Sequence, residues 1–508
     1  MKKARGATLG GDAQHAKLAE QIATELERQV IAQGLPVGHD LGNETALAEA
    51  FGVSRWVARE ALAITEREGL TRMRRGRNGG IVVAATADDV LATAVCNYLL
   101  FARVNADELI KVRKVVDRVA YVLAATQAKD SDVRIARDLL NRSPGSDRTG
   151  KLQQAVEIYS LIMRLTNNPF VGLFGTALSR LTMCLSVLNG NKYPASDRSP
   201  LNDRLVEIRR RQLECIIGAD ANGVIEAAAD AANAWAVMFE NAMDAKIALA
   251  RAPQIAEDLS TILHSDATVK RAAIVAIQIE LDIRAANLSS GDTLASEPQL
   301  MERYGVGRPV LREAIRSLER YGLVRSGTGR GGGVRVGTPN SGGVVQRALD
   351  YFEAARISRR DVDVLAGEII VLIAELLVER LQGEHASPPE ALLSAIKVAS
   401  QATKANARTA LDAVFFEAAS ATRSPLLILL MTMCAEFRKS ALPKRFWVSG
   451  VSDEAGMAEA LDGFENALRK RDAQFARRAM SRLASLAFQA PQATAAHNSL
   501  LGFLPRGD

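Results

Sequence analysis

Residues 34–83 and 287–336 align without a gap at an offset of 253, and 23 of the 50 positions are identical. Chance gives roughly three at ordinary residue frequencies. The identities include Gly38/Gly291, Glu44/Glu297, Gly52/Gly305, Arg55/Arg308, Arg59/Arg312 and Gly69/Gly322. An offset this long is far beyond the period of a stacked solenoid and is domain-sized. The chain therefore reads as a fused duplicate of one unit of about 250 residues, and any fold proposed for it must be built twice.

The 508 residues leave room for two copies of a two-domain unit. Apolar content of 48% with 24% charged residues describes a globular chain, and the 5% aromatic content favours helix over sheet. The net charge of +6 and pI near 9.1 fit either a polyanionic partner or a solvated basic surface. Cys96, Cys184, Cys215 and Cys434 form no C-x-x-C pair, which excludes zinc ribbons and dithiol redox motifs and reads as reduced, cytoplasmic cysteines. The basic residues 1–11 have no apolar run after them, so no secretory signal is expected. The most apolar stretch, 365–381, is broken by Glu368, Glu375 and Glu379, so no membrane span is expected either.

Within each copy the order of elements is the same. Leu18, Ile22, Leu26 and Val30 predict a helix over 15–33. After a glycine-rich break come a short helix near 44–51, a three-residue turn, and a second helix near 55–68 with Ser54 at its N-cap. Residues 70–74 and 81–84 then flank a basic glycine-rich turn, which predicts a hairpin. This is the order of a winged helix-turn-helix. The second copy predicts helices at 269–286, 297–304 and 308–321 and strands at 324–326 and 334–336, with Pro309 in a first helical turn where its missing N–H costs nothing. Each module is followed by helical periodicity alone: 88–100, 106–126, 152–165, 170–188, 201–217 and 221–245, then 342–355, 358–382, 392–420, 426–442, 454–469 and 472–488. The fold class is mainly α, with two winged helix-turn-helix domains and two all-α helical bundles in tandem. The divisions are 1–86 winged helix, 87–250 bundle, 251–267 junction, 268–340 winged helix, 341–490 bundle and 491–508 tail.

Arg55 and Arg59 stand four apart and share one face of the second helix, as do Arg308 and Arg312. A helix fits the major groove, where Arg can bind guanine through two donors or a phosphate oxygen. Arg74, Arg75 and Arg77 in one wing and Arg330 in the other suit close approach to phosphates or a minor groove. Trp56 and Pro309 occupy the next helical position in each copy; Trp56 either reads thymine methyls or packs on the scaffold. Glu60 and Glu313 read as structural partners of neighbouring cations. Gly327-x-Gly329-x-x-Gly332 spells a dinucleotide fingerprint, but a strand-like Val334-Arg335-Val336 follows where a helix is needed, so it reads as a wing tip.

The runs Gly-Val-Ser-Arg-x-x-x-Arg-Glu-Ala-Leu at 52–62 and Gly-Val-Gly-Arg-Pro-Val-Leu-Arg-Glu-Ala-Ile at 305–315 resemble the GntR family of bacterial transcriptional regulators. The helical domains resemble its FadR-like subfamily. The resemblance implies binding of double-stranded DNA as a dimer, with a small effector held in the bundle. Two departures matter. Thr45 and Pro298 stand where the family often has a basic DNA contact. Many such bundles also bind a metal through one Asp and three His, yet here Ala155, Tyr159 and Arg209 fill those positions, with Phe415 or Phe416, Leu461 and Leu483 in the second copy. Without imidazole or thiolate ligands, no metal or other cofactor is expected. Arg113, which matches an arginine common on the first bundle helix, together with Tyr159 and Arg209, points to a carboxylate or acyl-CoA-type effector. The second copy has Ala366 in place of Arg113.

The expected function is a transcriptional regulator, not an enzyme, whose two non-identical readers recognise a bipartite operator. A pseudo-dimeric single chain and a homodimer of chains both fit. The rival class is a ligand sensor or scaffold that has lost sequence-specific DNA binding in one or both copies.

Overall fold

A computed structural model describes residues 9–67, 69–74, 79–102, 104–143, 148–189, 199–240, 271–327, 333–403, 406–440 and 453–488. Arg75, Arg77, Arg330, the junction 251–267 and the tail 491–508 lie outside the described residues. The first copy opens with α1 (Leu9–Ala32), α2 (Glu44–Ala50), α3 (Arg55–Arg67), β1 (Thr71–Arg74), β2 (Gly80–Val83) and α4 (Ala87–Phe101). The helices α5 (Ala106–Gln127), α6 (Asp130–Asn141), α7 (Arg148–Leu165), α8 (Pro169–Asn189), α9 (Ser199–Ile217) and α10 (Ala221–Glu240) follow. The second copy begins with α11 (Arg271–Ala285), β3 (Thr293–Ala295), α12 (Glu297–Tyr304), α13 (Arg308–Arg320), β4 (Val324–Ser326), β5 (Val334–Val336) and α14 (Gly342–Ala354). It continues as α15 (Arg359–Gly383), α16 (Glu390–Ser400), α17 (Ala407–Ala421), α18 (Pro425–Ser440), α19 (Glu454–Lys470) and α20 (Ala473–Ala487).

These elements form two compact units, and each unit takes one piece from each copy. The first spans Met1–Cys96 with Leu249–Arg356 and so holds both winged helices; the second spans Asn97–Ala248 with Ile357–Asp508 and holds both bundles.

In the first unit, the apolar stripe of α1 packs on α3. Leu26, Leu47, Ala48, Ala58, Leu62 and Ile81 form one cluster, and Ala19, Ile22, Val57 and Ala61 another. Burying these side chains fixes which face of α3 is left outward. Local chemistry sets the helix starts. Asn43 Oδ1 accepts the Ala46 amide at 2.9 Å, Ser54 Oγ accepts the Val57 amide at 3.3 Å, and Ser296 with Gln299 closes a capping box on α12. The turn between the paired helices needs a left-handed residue, and Gly52 and Gly305 supply it at φ of 63° and 59°. The two modules also touch: Arg347 on α14 bonds to Glu27 on α1 at 3.0 Å.

Each wing is antiparallel, with Thr71 opposite Val83 in the first copy and Val324 opposite Val336 in the second. A third strand was not anticipated. In the second copy β3 joins to give the order β3-β5-β4, and the first copy makes only an isolated bridge, Asp40 to Val82, at the equivalent place. Three residues are too short for periodicity to reveal. The closeness of this strand explains one repeated glycine: a Cβ at Gly333 would lie 2.8 Å from the Ala295 carbonyl oxygen, and one at Gly80 would lie 3.0 Å from that of Gly42.

In the second unit α5 and α15 are the central helices of their bundles. Leu109, Val112, Val116, Val119, Ala120 and Leu123 bury one side of α5, packed mainly on α10; Leu365, Ile369, Ile370, Ile373 and Leu377 do so for α15, packed mainly on α20. Two expectations are corrected here. The helix expected over 392–420 is two helices, because the Asn406 side chain accepts the Thr403 amide at 2.8 Å and turns the chain ahead of α17. Helix α6, absent from the sequence reading, buries only Ala136, Leu139 and Leu140, a stripe obscured by its charged residues.

Gly333→Ala is expected to destabilise the protein by about 1–3 kcal/mol, because β3 must move off β5. Gly343→Ala, where an added Cβ meets nothing within 4 Å, is expected to be neutral or stabilising. Urea denaturation of the two variants beside wild type checks the contrast.

Candidate functional site

The face of α3 left outward by the core carries Arg55, Trp56 and Arg59, all exposed, Trp56 by 51%. Its counterpart on α13 carries Arg308, Pro309 and Arg312, also exposed. A carboxylate from the preceding helix meets Arg59 in the first copy and Arg308 and Arg312 in the second. Glu44 takes both Nη2 and Nε of Arg59, at 2.8 and 3.2 Å. Glu297 lies 3.3 Å from Nε of Arg308 and 3.5 Å from Nε of Arg312. Exposed pairs of this kind contribute little to stability. They hold a guanidinium in place while leaving it open to a phosphate or a base edge.

Arg74 ends β1 and bonds to Asp40 at 2.8 Å, again at the surface. In the second wing Arg325 and Arg335 stand opposite each other across β4 and β5, both exposed. Sequence reasoning did not single out this arginine pair or the acid clamp. The signal for the clamp was present, since Glu44/Glu297 is one of the repeated identities. The Arg325/Arg335 pair depends on strand register: Arg325 repeats Arg72, but Arg335 aligns with Val82.

Arg113, Tyr159 and Arg209 come together inside the first bundle. Arg113 on α5 donates Nε to Asp117 at 3.2 Å and Nη2 to Ser179 on α8 at 3.4 Å. Tyr159 on α7 donates to the other oxygen of Asp117 at 2.5 Å. Arg209 on α9 lies over the Tyr159 ring, 4.0 Å from its centre, and donates Nη1 to Tyr121 and Gln212, both at 2.8 Å. Trp235 on α10 covers Arg113 at 5.2 Å. Arg113 is 2% exposed and Arg209 1%. Five helices thus enclose two guanidiniums and one carboxylate, and Nη1 of Arg113 has no hydrogen-bond partner. Burial and the Asp117 charge raise the Tyr159 hydroxyl far above the usual phenol range, so it stays a neutral donor. Burial alone would lower the Arg113 pKa, but the Asp117 carboxylate outweighs it, and the net shift is upward. A second anion would relieve the remaining positive charge and occupy the free donor.

The second bundle has hydrocarbon at the equivalent positions. Ala366, Ile370, Phe415 and Leu461 stand where Arg113, Asp117, Tyr159 and Arg209 stand in the first, and all are buried. Its own buried charges lie elsewhere: Arg438 bonds to Asp412 at 2.6 Å and to Asp363 at 3.2 Å, so each carboxylate is engaged. Among the described residues, no group of three or more His, Cys, Asp or Glu could hold a metal ion, and no helix is long and apolar enough to cross a membrane.

Arg113→Leu is expected to cost about 3–5 kcal/mol, because it strands the Asp117 carboxylate. Arg113→Leu/Asp117→Leu should recover a large part of that loss. A double-mutant cycle in urea checks the coupling.

Comparison with known proteins bears on the winged helices. The family model for bacterial regulatory proteins of the gntR family matches residues 18–83 and again residues 271–334. The Uxu operon regulator of Haemophilus influenzae is 30% identical over 119 residues, 23% of this chain and 42% of that protein. The HTH-type transcriptional repressor NanR of Escherichia coli is 30% identical over 128 residues, 24% of this chain and 40% of its own. The chain thus spans less than half the length of either relative. A solved structure, Streptococcus agalactiae GntR, overlaps 44% of this chain and 99% of its own at 19% identity and a TM-score of 0.29, too low to carry an argument. Each winged helix, with its paired helices, outward arginines and wing, is matched separately by the family model, so the chain carries the winged helix of gntR-type bacterial regulatory proteins twice.

Proposed function

We propose that the chain is a DNA-binding transcriptional regulator that reads a bipartite operator with two non-identical winged helices and responds to a small acidic effector in its first bundle. The observation that carries this is the recurrence of one geometry: in both copies a buried core turns two arginines outward, four residues apart, with a carboxylate from the preceding helix on Arg59 in the first copy and on Arg308 and Arg312 in the second. Arg55 and Arg59 serve the first reader and Arg308 and Arg312 the second, as direct contacts to guanine edges or phosphates. Trp56, exposed on the same face, adds an apolar contact suited to a thymine methyl, and Pro309 takes its place in the second reader. Arg74, with Arg75, Arg77 and Arg330 beyond the described residues, supplies phosphate contacts from the wings. Because the two readers differ at these positions, the preferred site is an asymmetric pair of half-sites.

The effector reading rests on the buried network of Arg113, Tyr159 and Arg209. An enclosed site with surplus positive charge and an unused donor suits a carboxylate, free or carried on an acyl-CoA-type molecule. Apolar packing at the equivalent positions of the second bundle makes the first the better candidate for holding an effector.

Selection from random duplexes tests the operator. Wild type is expected to enrich a bipartite site, Arg55→Ala/Arg59→Ala to lose one half, and Arg308→Ala/Arg312→Ala the other. Each lost phosphate contact should flatten the slope of log K against log salt by about 1. No enrichment, with binding abolished at physiological salt, would mean that the winged helices are scaffold. For the effector, a panel of small carboxylic acids and acyl-CoAs should raise the melting temperature of wild type but not of Arg209→Leu. Equal shifts in both proteins would remove the network from the binding site.

A further inference from the structure

The two bundles meet along α5 and α15, which run antiparallel. An approximate dyad relates the two sides of this seam. Asn168, which begins α8, donates Nδ2 to the Asp361 carbonyl at 2.9 Å. Ser424, which begins α18, donates its hydroxyl to Glu108. Glu108 and Asp361 stand at equivalent places in the two copies, at the 253 offset, and Asn168-Pro169 corresponds to Ser424-Pro425. The ends of the seam therefore keep the symmetry of a dimer.

Its charges do not. Lys111 on α5 bonds to Glu379 on α15 at 2.8 Å, and Arg118 bonds to Glu368 at 2.5 Å. Arg118 and Glu368 are the better buried pair, with side chains 26% and 18% exposed. Under the same offset the mirror-related positions are Val364 with Thr126, and Val371 with Val115, none of them charged. In both of these ion pairs the cation is on α5 and the carboxylate on α15, with Lys111 also touching Asp107 on its own helix at 3.2 Å.

We infer that this asymmetry is a charge key that pairs the first bundle with the second of the same chain and disfavours like-with-like pairing. In an α5–α5 pair built on the same geometry, Arg118 would face Val115 of the other copy. It would lose Glu368 and lie within about one helical turn of its own counterpart. An α15–α15 pair would bring two Glu368 carboxylates together in the same way. Each self-pairing leaves half-buried charges without partners, the situation that specificity by unfavourable alternatives exploits. The key makes the duplicated chain a closed pseudo-dimer that does not exchange halves with identical chains. It rests on the single-chain part of the proposed function and is independent of DNA or effector.

The test uses full-length chains and no DNA. Lys111→Glu/Arg118→Glu makes both seam faces acidic, and Glu368→Lys/Glu379→Lys makes both basic. Each variant is expected to melt roughly 5 °C below wild type, and the chain with all four substitutions to recover most of that loss. Mixed in equal amounts, the acidic and basic variants should form a complex of two chains by native mass spectrometry that neither forms with itself. Unchanged melting in both variants, no recovery in the fourfold swap, or no complex on mixing would each overturn the key. Failure of operator selection would leave it standing.

Discussion

Helix α5 is the element on which the second unit depends. Arg113 and Asp117 face one side of it, inside the first bundle, and Lys111 and Arg118 face another, against α15. At about 100° per residue these two sets lie about 130° apart. A single helix therefore ends in a buried ion network on one flank and an inter-bundle joint on the other. A molecule that repacks Arg113 acts on the same rod that holds the bundles together, with no intervening flexible segment within those turns.

The duplication has been used unevenly. The winged helices keep their cores and left-handed glycines in both copies, and they keep an acid against the outward arginine face, although the Ser54 cap is replaced by Gly307 in the second copy. These features are required by the local geometry of two short helices at a tight turn, so drift at them is costly. The bundles have diverged at their centres. One encloses charges that require hydrogen-bonded partners, and the other fills the same depth with Ala366, Ile370, Phe415 and Leu461. An apolar centre satisfies itself by packing, whereas a buried pair of guanidiniums is stable only when each donor finds an acceptor. The two centres are therefore unequal in a way that a homodimer of identical chains could not adopt.

Much of the fold was legible in advance because it is set by short-range chemistry. The gap-free repeat, the helix-turn-helix spacing, Ser54 as a cap and the hairpin flanks all follow from side chains acting on backbone within a few residues. The parts that were missed have a common cause. Strand β3 is three residues whose pairing with β5 is a long-range event, and α6 hides its three buried residues among charges. The split between α16 and α17 depends on one asparagine side chain competing with a helix that periodicity alone would continue.

By itself the sequence determined that the chain is doubled, that each half pairs a winged helix with a helical bundle, and which arginines share a helix face, because spacing on a helix decides that without reference to the rest of the molecule. Only the tertiary structure decided that the halves are regrouped, winged helix with winged helix and bundle with bundle, and that Arg113, Tyr159 and Arg209 from three helices meet around Asp117. It also decided that the cations of α5 find their carboxylates on α15, more than 200 residues away. Those arrangements depend on burial and charge pairing between distant segments, and no local pattern encodes which distant partner a side chain will meet.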